Sequence, residues 1–380
     1  MSENDRHFET RAIHDGQDPE PTVGAVNVPI FQTSTYAQPD VGMPLRYDYA
    51  RGGNPTRDAL QTVIASLEGG RHGYCFASGM AAESTLLLST LAAGDHVVLG
   101  DDVYGGTYRL LKEVIGPWGV EFNTVDLGDP DTLRRVLRAN TRLVWAETPT
   151  NPLLKIVDLA KVGALAHEGG ARFVVDNTFA TPYLQRPLSL GADVVVHSVT
   201  KYLGGHSDLV GGALVLDDDA LAERIAFNVN AVGAVPGPMD CYLALRGVKT
   251  LAVRMQAHCR NAGAVARFLD RRSDVGRVFY PGLDDDPGHA IAARQMRGFG
   301  GMVSFEAADP EEATRIARTT ELFLLAESLG GVESLIEVPA PMTHASVSGS
   351  SLEVPASLVR LSVGIEHVDD LIADLEQALG

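Results

Sequence analysis

The chain is poor in the features on which secreted and membrane-spanning proteins depend. Only three cysteines occur among its 380 residues, at Cys75, Cys241 and Cys259, too few for a disulfide-stapled extracellular fold. No apolar run approaches the roughly 18–20 residues that cross a bilayer. The first ten residues, MSENDRHFET, lack the apolar core of a secretory signal. We therefore expect a cytoplasmic protein that does not bind membranes.

Basic side chains are also in the minority. The chain has 31 lysines and arginines against 49 aspartates and glutamates, a formal net charge of −18. Binding to nucleic acid phosphates requires a basic face, which this balance opposes. We therefore expect no nucleic-acid partner.

Valine-rich runs are plentiful, and between about residues 70 and 215 they alternate with longer helical stretches. This alternation predicts βα units and a largely parallel sheet. The strand candidates are DHVVLGD (95–101), VEFNTVDL (120–127), TRLVWAETP (141–149), ARFVVDNT (171–178) and ADVVVHSV (192–199). Ligands of open α/β sheets bind beyond the carboxyl ends of the strands, so the polar residues there should converge on one rim. These residues are Asp101, Glu147, Asp176 and Lys201.

The length exceeds that of one compact core and predicts more than one domain. Residues 1–55 are rich in proline, glycine and polar side chains without a long periodic run, which predicts an extended arm. We expect residues 56–245 to form the large α/β domain. Residues 246–380 predict a smaller α+β domain, with MVSFEA and LVRLSVGI as strands and DPEEATRIARTT and EHVDDLIADLEQAL as helices.

A lysine follows the last valine-rich run, in VVVHSVTKYLGGHSD (194–208). Its position alone is typical of a solvated charge, but a buried strand before it would place the Lys201 amine in a partly desolvated pocket. There the neutral amine is favoured and can act as a nucleophile or Schiff-base former. Ser198 and Thr200, two residues apart on an extended segment, can direct their hydroxyls at a phosphate. The stretch predicts a site for a phosphate-bearing aldehyde.

Two further elements fit such a ligand. In FASGMAAESTLLLSTLAAGD (76–95), Ser-Gly precedes a helical run, so the backbone amides of Gly79 and Met80 face whatever lies at the helix N-terminus. Asp176, at the end of an apolar strand, can pair with a protonated ring nitrogen. Each element also has a plainer interpretation as a cap. Together with Lys201 they indicate pyridoxal phosphate, whose ring withdraws electrons once its nitrogen is protonated.

At this point the chain resembles the Cys/Met-metabolism family of pyridoxal-phosphate-dependent enzymes. The motifs that carry the resemblance run in order from about residue 47 to 366 and cover most of the chain. They are YARGGNPTR, ASGMAA, DDVYGGTYR, ETPTNP, VVDNTFATP, HSVTKYLGGHSD, GAVPGPMDC, AESLGGVESL, PMTHASV and LVRLSVGIE. The resemblance implies a fold-type I α/β architecture, with a mostly parallel large domain and a smaller α+β C-terminal domain. It further implies an amino-acid substrate, no metal, and a homotetramer made of two catalytic dimers.

The resemblance also implies roles for individual residues. Lys201 and Tyr104 would be catalytic, with Lys201 binding the cofactor covalently and later moving protons, and Tyr104 stacking on the ring. Asp176 would bind the ring nitrogen, and Thr178 would lie beside the ring. The phosphate would be held by Tyr49, Arg51, Gly79, Met80, Ser198 and Thr200, with Tyr49 and Arg51 reaching into the neighbouring subunit.

On the substrate side, the resemblance implies that Arg360 clamps the α-carboxylate, with Asn151 and Ser328 as helpers. Arg109 matches the arginine that meets a distal carboxylate. Glu327 matches a glutamate of γ-lyases and γ-synthases and would bind a distal amine. Together these residues favour γ-chemistry on a dicarboxylic amino acid.

The expected activity is that of a cystathionine γ-lyase, which converts L-cystathionine to cysteine, 2-oxobutanoate and ammonia. The alternative is cystathionine γ-synthase, which replaces the acyl group of O-succinyl- or O-acetylhomoserine with cysteine. The stretch SLIEVPAPMTHASV resembles the lyase branch and favours the first. Gly106 stands where methionine γ-lyases have cysteine, so that activity is less favoured, as is O-acylhomoserine sulfhydrylase. A dinucleotide-binding domain is disfavoured because no G-x-G-x-x-G turn follows the first strand candidate.

Overall fold

A computed structural model describes residues 6–344, 349 and 352–380. These residues form two compact units, one from Met1–Leu91 with Asp193–Ala252 and the other from Ala92–Ala192 with Val253–Gly380. The domain boundaries 1–55, 56–245 and 246–380 stay a prediction. Residues 1–5 of the predicted arm and residues 345–347 of the PMTHASV motif lie outside the described part. Within that part, no helix combines the length and apolarity needed to cross a bilayer.

Helices and strands are numbered along the chain. The helices are α1 (Phe8–His14), α2 (Pro55–Glu68), α3 (Gly79–Thr90), α4 (Gly105–Arg109), α5 (Pro130–Val136), α6 (Leu159–Glu168), α7 (Thr181–Leu184), α8 (Asp219–Val232), α9 (Pro238–Val248), α10 (Leu251–Asp270), α11 (His289–Gln295), α12 (Pro310–Thr319) and α13 (Val368–Leu379). The strands are β1 (His72–Phe76), β2 (His96–Gly100), β3 (Glu121–Val125), β4 (Thr141–Glu147), β5 (Arg172–Asp176), β6 (Val194–Ser198), β7 (Gly212–Leu216), β8 (Val278–Phe279), β9 (Met302–Glu306), β10 (Leu324–Leu325), β11 (Leu335–Glu337) and β12 (Leu358–Ser362).

The arm is extended only in part. Its first described residues form α1, where Phe8 and Ala12, one helical turn apart, are buried. A run this short gives little periodicity in the sequence, which is why the helix was not predicted. Residues 15–54 contain no regular helix or strand and are joined by isolated bridges between Thr35 and Tyr49 and between Asp40 and Met43.

In the first unit, β7 lies between β1 and β6 and is antiparallel to both. Strand β7 is fully buried, and so are the first four residues of β6. At the end of this arrangement Gly212 is the register partner of Phe76 on one side and of Ser198 on the other. The backbone of Gly212 therefore lies beside the two segments that carry the predicted phosphate ligands.

In the second unit, the strands stand in the order β5, β4, β2, β3, and all three pairs are parallel. This confirms the predicted parallel sheet for four of the five strand candidates. Residues Glu147 and Asp176, at the carboxyl ends of β4 and β5, are register partners. Asp101 directly follows β2. The acidic residues thus stand at the strand ends where the βα pattern places them.

The C-terminal part of the second unit contains a five-stranded sheet in the order β10, β11, β12, β9, β8. Strands β9 and β12 and helices α12 and α13 lie where the sequence predicts them. Arg360, at the centre of β12, has Glu337 of β11 and Ser304 of β9 as its register partners. Apolar residues from α10, α12, α13 and the sheet form one core cluster.

Candidate active site

The first unit contains an anion cradle at the N-terminus of α3. Ser78 caps this helix by accepting a hydrogen bond from the Ala81 amide at 3.0 Å. A Cβ atom on Gly79 would lie 3.1 Å from the Cβ of Ser198, and one on Gly212 would lie only 2.1 Å from the Ser78 carbonyl oxygen. Only glycine at position 212 lets the helix start come this close to β6 and β7. The helix amides and the Ser198 hydroxyl therefore belong to one cradle.

Lys201 lies in a tight turn directly after β6. Its amide donates to the Ser198 carbonyl at 3.2 Å, and its own carbonyl accepts from the Gly205 amide at 2.8 Å. Gly205 has φ +73°, a left-handed conformation that suits glycine. The Lys201 side chain is half-buried, so the predicted desolvation of its amine is partial.

Glycines also fix the path of the chain after Lys201. A Cβ on Gly247 of α9 would lie 2.1 Å from the Gly204 carbonyl oxygen, so the helix packs directly on the turn. Thr200 is held through its hydroxyl, which donates to the Gly211 carbonyl at 3.2 Å and accepts from the Gly211 amide at 3.0 Å. Donation of the Thr200 hydroxyl to a phosphate would replace the bond that it donates to the Gly211 carbonyl and could keep the bond that it accepts from the Gly211 amide.

Tyr49 and Arg51 of the arm lie together on the surface of the first unit. The Arg51 guanidinium stands 5.3 Å from the centre of the Tyr49 ring. Its Nε donates to Asn230 Oδ1 at 3.2 Å. Tyr49 is 46% exposed, and both residues line an open cavity of about 360 Å³ together with Arg57. The pair is therefore presented outward from this unit.

In the second unit, two buried carboxylates stand at the ends of β4 and β5, and one of them contacts the start of α4. The amide of Tyr104, the residue before this helix, donates to Glu147 Oε2 at 2.8 Å. Asp176 accepts from the Thr178 amide at 2.9 Å, and both residues are buried. The Tyr104 side chain is 37% exposed, so its ring is open to a ligand.

Asp102 is an acidic residue of this rim that the sequence analysis did not single out. It accepts hydrogen bonds from the Thr150 hydroxyl and from the Leu153 amide. Burial nevertheless raises the pKa of Asp102 to about 6. Its neighbour Asp101 forms an ion pair with Lys155 at 3.0 Å. These bonds tie the segment after β4 to the segment after β2.

Arg360 is the centre of a buried polar cluster. Its Nη1 donates to Asn151 Oδ1 at 2.8 Å, and its Nη2 donates to the Ser328 carbonyl at 2.8 Å. Ser328 has φ +86°, a conformation that serine rarely adopts and that holds its carbonyl on the guanidinium. The structure thus brings together the three residues that the resemblance assigns to the α-carboxylate.

Glu337 is the member of this cluster that sequence reasoning missed. Its Oε1 lies 3.0 Å from Arg360 Nη1, and the residue is 1% exposed. The sequence signal is a charged residue at the end of an apolar run, between Ile336 and Val338, in the stretch that resembles the lyase branch.

The two residues predicted to meet the distal end of the substrate are exposed. Arg109 ends α4, and Glu327 follows β10. Within the described part of the chain neither side chain forms a hydrogen bond or an ion pair with another residue. Both are therefore open to a ligand, and nothing in their surroundings fixes their partners.

The chain thus has an α/β architecture with a glycine-lined helix start, a lysine after a buried strand and a buried arginine cluster. Residues 9–380 match the family model described as "Cys/Met metabolism PLP-dependent enzyme". The chain belongs to this family, whose members depend on pyridoxal phosphate, and its fold is the fold-type I fold that the sequence predicts.

Several proteins of the family are close relatives. The chain is 57% identical to a cystathionine γ-synthase of Mycobacterium tuberculosis over 374 residues, covering 98% of this chain and 96% of the relative. It is 50% identical to a cystathionine β-lyase of Lactococcus lactis, covering 98% of each. Its fold matches the crystal structure of metB from Corynebacterium glutamicum with a TM-score of 0.98 and 50% identity, covering 100% and 99% of the two chains.

The residues of the first unit fit pyridoxal phosphate. A phosphate monoester needs several N–H and O–H donors around one small space, and α3 supplies helix amides next to the Ser198 hydroxyl. Gly79 and Gly212 let the start of α3 approach the strand that carries Ser198. In the second unit, the buried carboxylate of Asp176 has the chemistry to pair with a protonated ring nitrogen.

Proposed function

We propose that the chain is a cystathionine γ-synthase, which forms cystathionine from cysteine and an O-acylated homoserine and releases the acyl group as a carboxylic acid. The observation that carries the proposal is the 57% identity, over 98% of the chain, to the M. tuberculosis enzyme of that name. The comparisons favour this activity over the γ-lyase that the sequence analysis placed first.

In this proposal Lys201 binds the cofactor, Asp176 pairs with its ring nitrogen, and Tyr104 and Thr178 lie against its ring. The phosphate contacts are those that the sequence predicts, from Gly79, Met80, Ser198, Thr200, Tyr49 and Arg51. Pyridoxal phosphate, when bound, withdraws electrons from the substrate carbons next to the amine. The Lys201 amine would remove the protons from Cα and Cβ and return them once the cysteine sulfur has replaced the acyl group at Cγ, because it is the base tethered at that place.

Arg360 binds the α-carboxylate of the amino acid in this proposal, and its burial strengthens that charge-assisted pair. Asn151 and Ser328 hold the guanidinium in place. Arg109 and Glu327 bind the distal groups of the substrate, which their exposure permits.

The proposed assembly is a homotetramer built from two catalytic dimers. The outward-facing pair of Tyr49 and Arg51 supports it, because these side chains are available to a neighbouring subunit. In each dimer Tyr49 and Arg51 would then serve the partner's phosphate site.

Cystathionine γ-lyase is the second candidate. It shares the residues above, Glu327 included, and the resemblance of SLIEVPAPMTHASV to the lyase branch favours it. The two activities differ in whether cysteine is captured or released at the substrate's Cγ, so they are separated by their products.

Product analysis tests the proposal. The enzyme loaded with pyridoxal phosphate is given O-acetyl- or O-succinylhomoserine with cysteine in one reaction and L-cystathionine alone in another. We expect cystathionine to form in the first reaction at least about tenfold faster than 2-oxobutanoate forms in the second. The reverse ratio would assign the chain to the γ-lyases. Lys201→Ala is the control that should abolish both reactions.

A further inference from the structure

The Arg360 guanidinium belongs to a network of buried and part-buried polar contacts. Thr343 and His344 lie in the turn after β11, where the His344 amide donates to the Pro339 carbonyl at 2.9 Å. This turn brings the Thr343 hydroxyl to Glu337 Oε1, to which it donates at 2.8 Å. The loop after β11 therefore folds back onto the partner of Arg360.

The contacts continue from Thr343 to His344. Its Nδ1 lies 3.0 Å from the Thr343 hydroxyl, and its Nε2 lies 3.2 Å from the carbonyl oxygen of Asn151. The side-chain oxygen of Asn151 accepts from Arg360. Asn151 is thus held at its side chain by the arginine and at its backbone by the histidine. The path from Arg360 through Glu337, Thr343 and His344 returns to Arg360 through Asn151.

A second tether holds the same loop. The Ser304 hydroxyl, opposite Arg360 in β9, donates to the Pro152 carbonyl at 2.8 Å. Glu337, Arg360 and Ser304 therefore form a row across three neighbouring strands, and this row supports the loop that carries Asn151. All three are buried, so their hydrogen bonds are shielded from water.

The hydrogen-bond donors and acceptors of this network show why the Thr343 hydroxyl matters. The Asn151 carbonyl can only accept, so Nε2 of His344 carries a proton. Burial lowers the pKa of His344 to about 4, so near neutral pH its Nδ1 has no proton and is an acceptor. The Glu337 carboxylate is also an acceptor. The Thr343 hydroxyl lies within reach of both acceptors, but its single proton can be donated to only one of them at a time.

We propose that Thr343 and His344 are positioning residues, which hold Glu337 and Asn151 so that Arg360 presents its guanidinium to the α-carboxylate of the substrate. The inference rests on the proposed function, in which Arg360 is the carboxylate ligand. Without the Thr343 hydroxyl, Glu337 loses a donor and draws more strongly on Arg360. The guanidinium then turns from the orientation that Asn151 and Ser328 define.

The test compares Thr343→Val, which removes the hydroxyl at nearly constant shape, with Thr343→Ser, which keeps it. Binding of glycine and of glycinamide to the enzyme loaded with pyridoxal phosphate is measured by calorimetry, because only glycine has the α-carboxylate. We expect Thr343→Val to weaken glycine binding about tenfold and glycinamide binding less than twofold. Thr343→Ser should bind both like the parent.

Equal losses for glycine and glycinamide in Thr343→Val, or no loss for either, would overturn the inference. If Thr343→Val does not fold, His344→Gln carries the same test with the same criteria. Arg360→Ala separates this inference from the proposed function. If Arg360→Ala leaves the preference for glycine over glycinamide unchanged, the assignment of Arg360 itself fails. If Arg360→Ala removes the preference and Thr343→Val does not, only the positioning role fails.

Discussion

Glu68 and His197 form a hydrogen-bonded pair with both side chains fully buried, just before the segment that carries Lys201. Glu68 Oε1 lies 2.5 Å from His197 Nε2. Glu68 is the last residue of α2, and His197 precedes Ser198 in β6. The pair therefore fastens the first long helix after the arm to the strand that leads to the lysine.

Removing one partner of this pair should be costly, since the other is left buried without its hydrogen-bond partner. We expect Glu68→Leu and His197→Leu each to lower the free energy of unfolding by about 1–3 kcal/mol. The double variant should lose clearly less than the sum, because two apolar side chains can pack together. Guanidinium denaturation of the four proteins gives the coupling energy. Additive losses would refute the account. The same cycle on the exposed pair Arg134 and Asp131 should show no coupling.

At the residue scale, the role of a side chain could be predicted where the residues that define its surroundings are close together in the sequence. Lys201, with Gly205 in the turn after it, follows from one short stretch of sequence. The partnership of Glu68 with His197 could not be predicted, because 129 residues separate them. Glu337 was missed for the same reason, since its burial and its arginine partner depend on the pairing of β11 with β12.

At the scale of elements, a buried histidine joins α10 to the end of the C-terminal sheet. His258 Nδ1 donates to the Val363 carbonyl at 2.7 Å. Burial lowers the pKa of His258 to about 4, below the ordinary value of 6.5. The folded state thus disfavours the charged imidazolium ring of His258. The stability that the neutral ring contributes is complete above pH 6.5 and is lost as the pH falls towards 4.

We therefore expect the variant His258→Asn, whose amide can still donate to the Val363 carbonyl, to lose less stability at acidic pH than the wild-type protein. Between pH 7 and pH 5, the wild-type protein should lose about 2 kcal/mol more unfolding free energy than the variant. His344 adds to the acid loss in both proteins, whereas the raised pKa of Asp102 opposes it in both. Denaturation at the two pH values measures the difference. Parallel losses would show that His258 does not titrate as its burial requires.

The regular elements were predictable to different extents. The valine-rich parallel strands β2, β4 and β5 and the helices α12 and α13 are long or strongly patterned, so their positions follow from the sequence. The antiparallel direction of β7 could not be read from local pattern, because a buried strand looks alike in both directions. Helix α1 is too short for its periodicity to stand out.

At the scale of the whole molecule, the order of motifs along the chain is enough to indicate the family. No single stretch is specific. The combination of Ser-Gly before a helix, Asp176 at a strand end and then Lys201, in that order, is unlikely to occur by chance. The order of motifs does not distinguish among the activities of the family. Synthase and lyase share nearly all these residues, and the comparison with relatives, not the motifs, moved the balance to the synthase.

The central claim is that Lys201 binds the cofactor. It is tested by incubating the protein with pyridoxal phosphate, recording its visible absorbance and then reducing it with borohydride for peptide mass analysis. We expect a visible band in the wild-type protein and in the control Lys161→Ala, which changes an exposed lysine of α6. The band should be absent in Lys201→Ala, and the reduced cofactor should lie on the peptide that contains Lys201. An undiminished band in Lys201→Ala, or cofactor fixed to another lysine, would contradict the account.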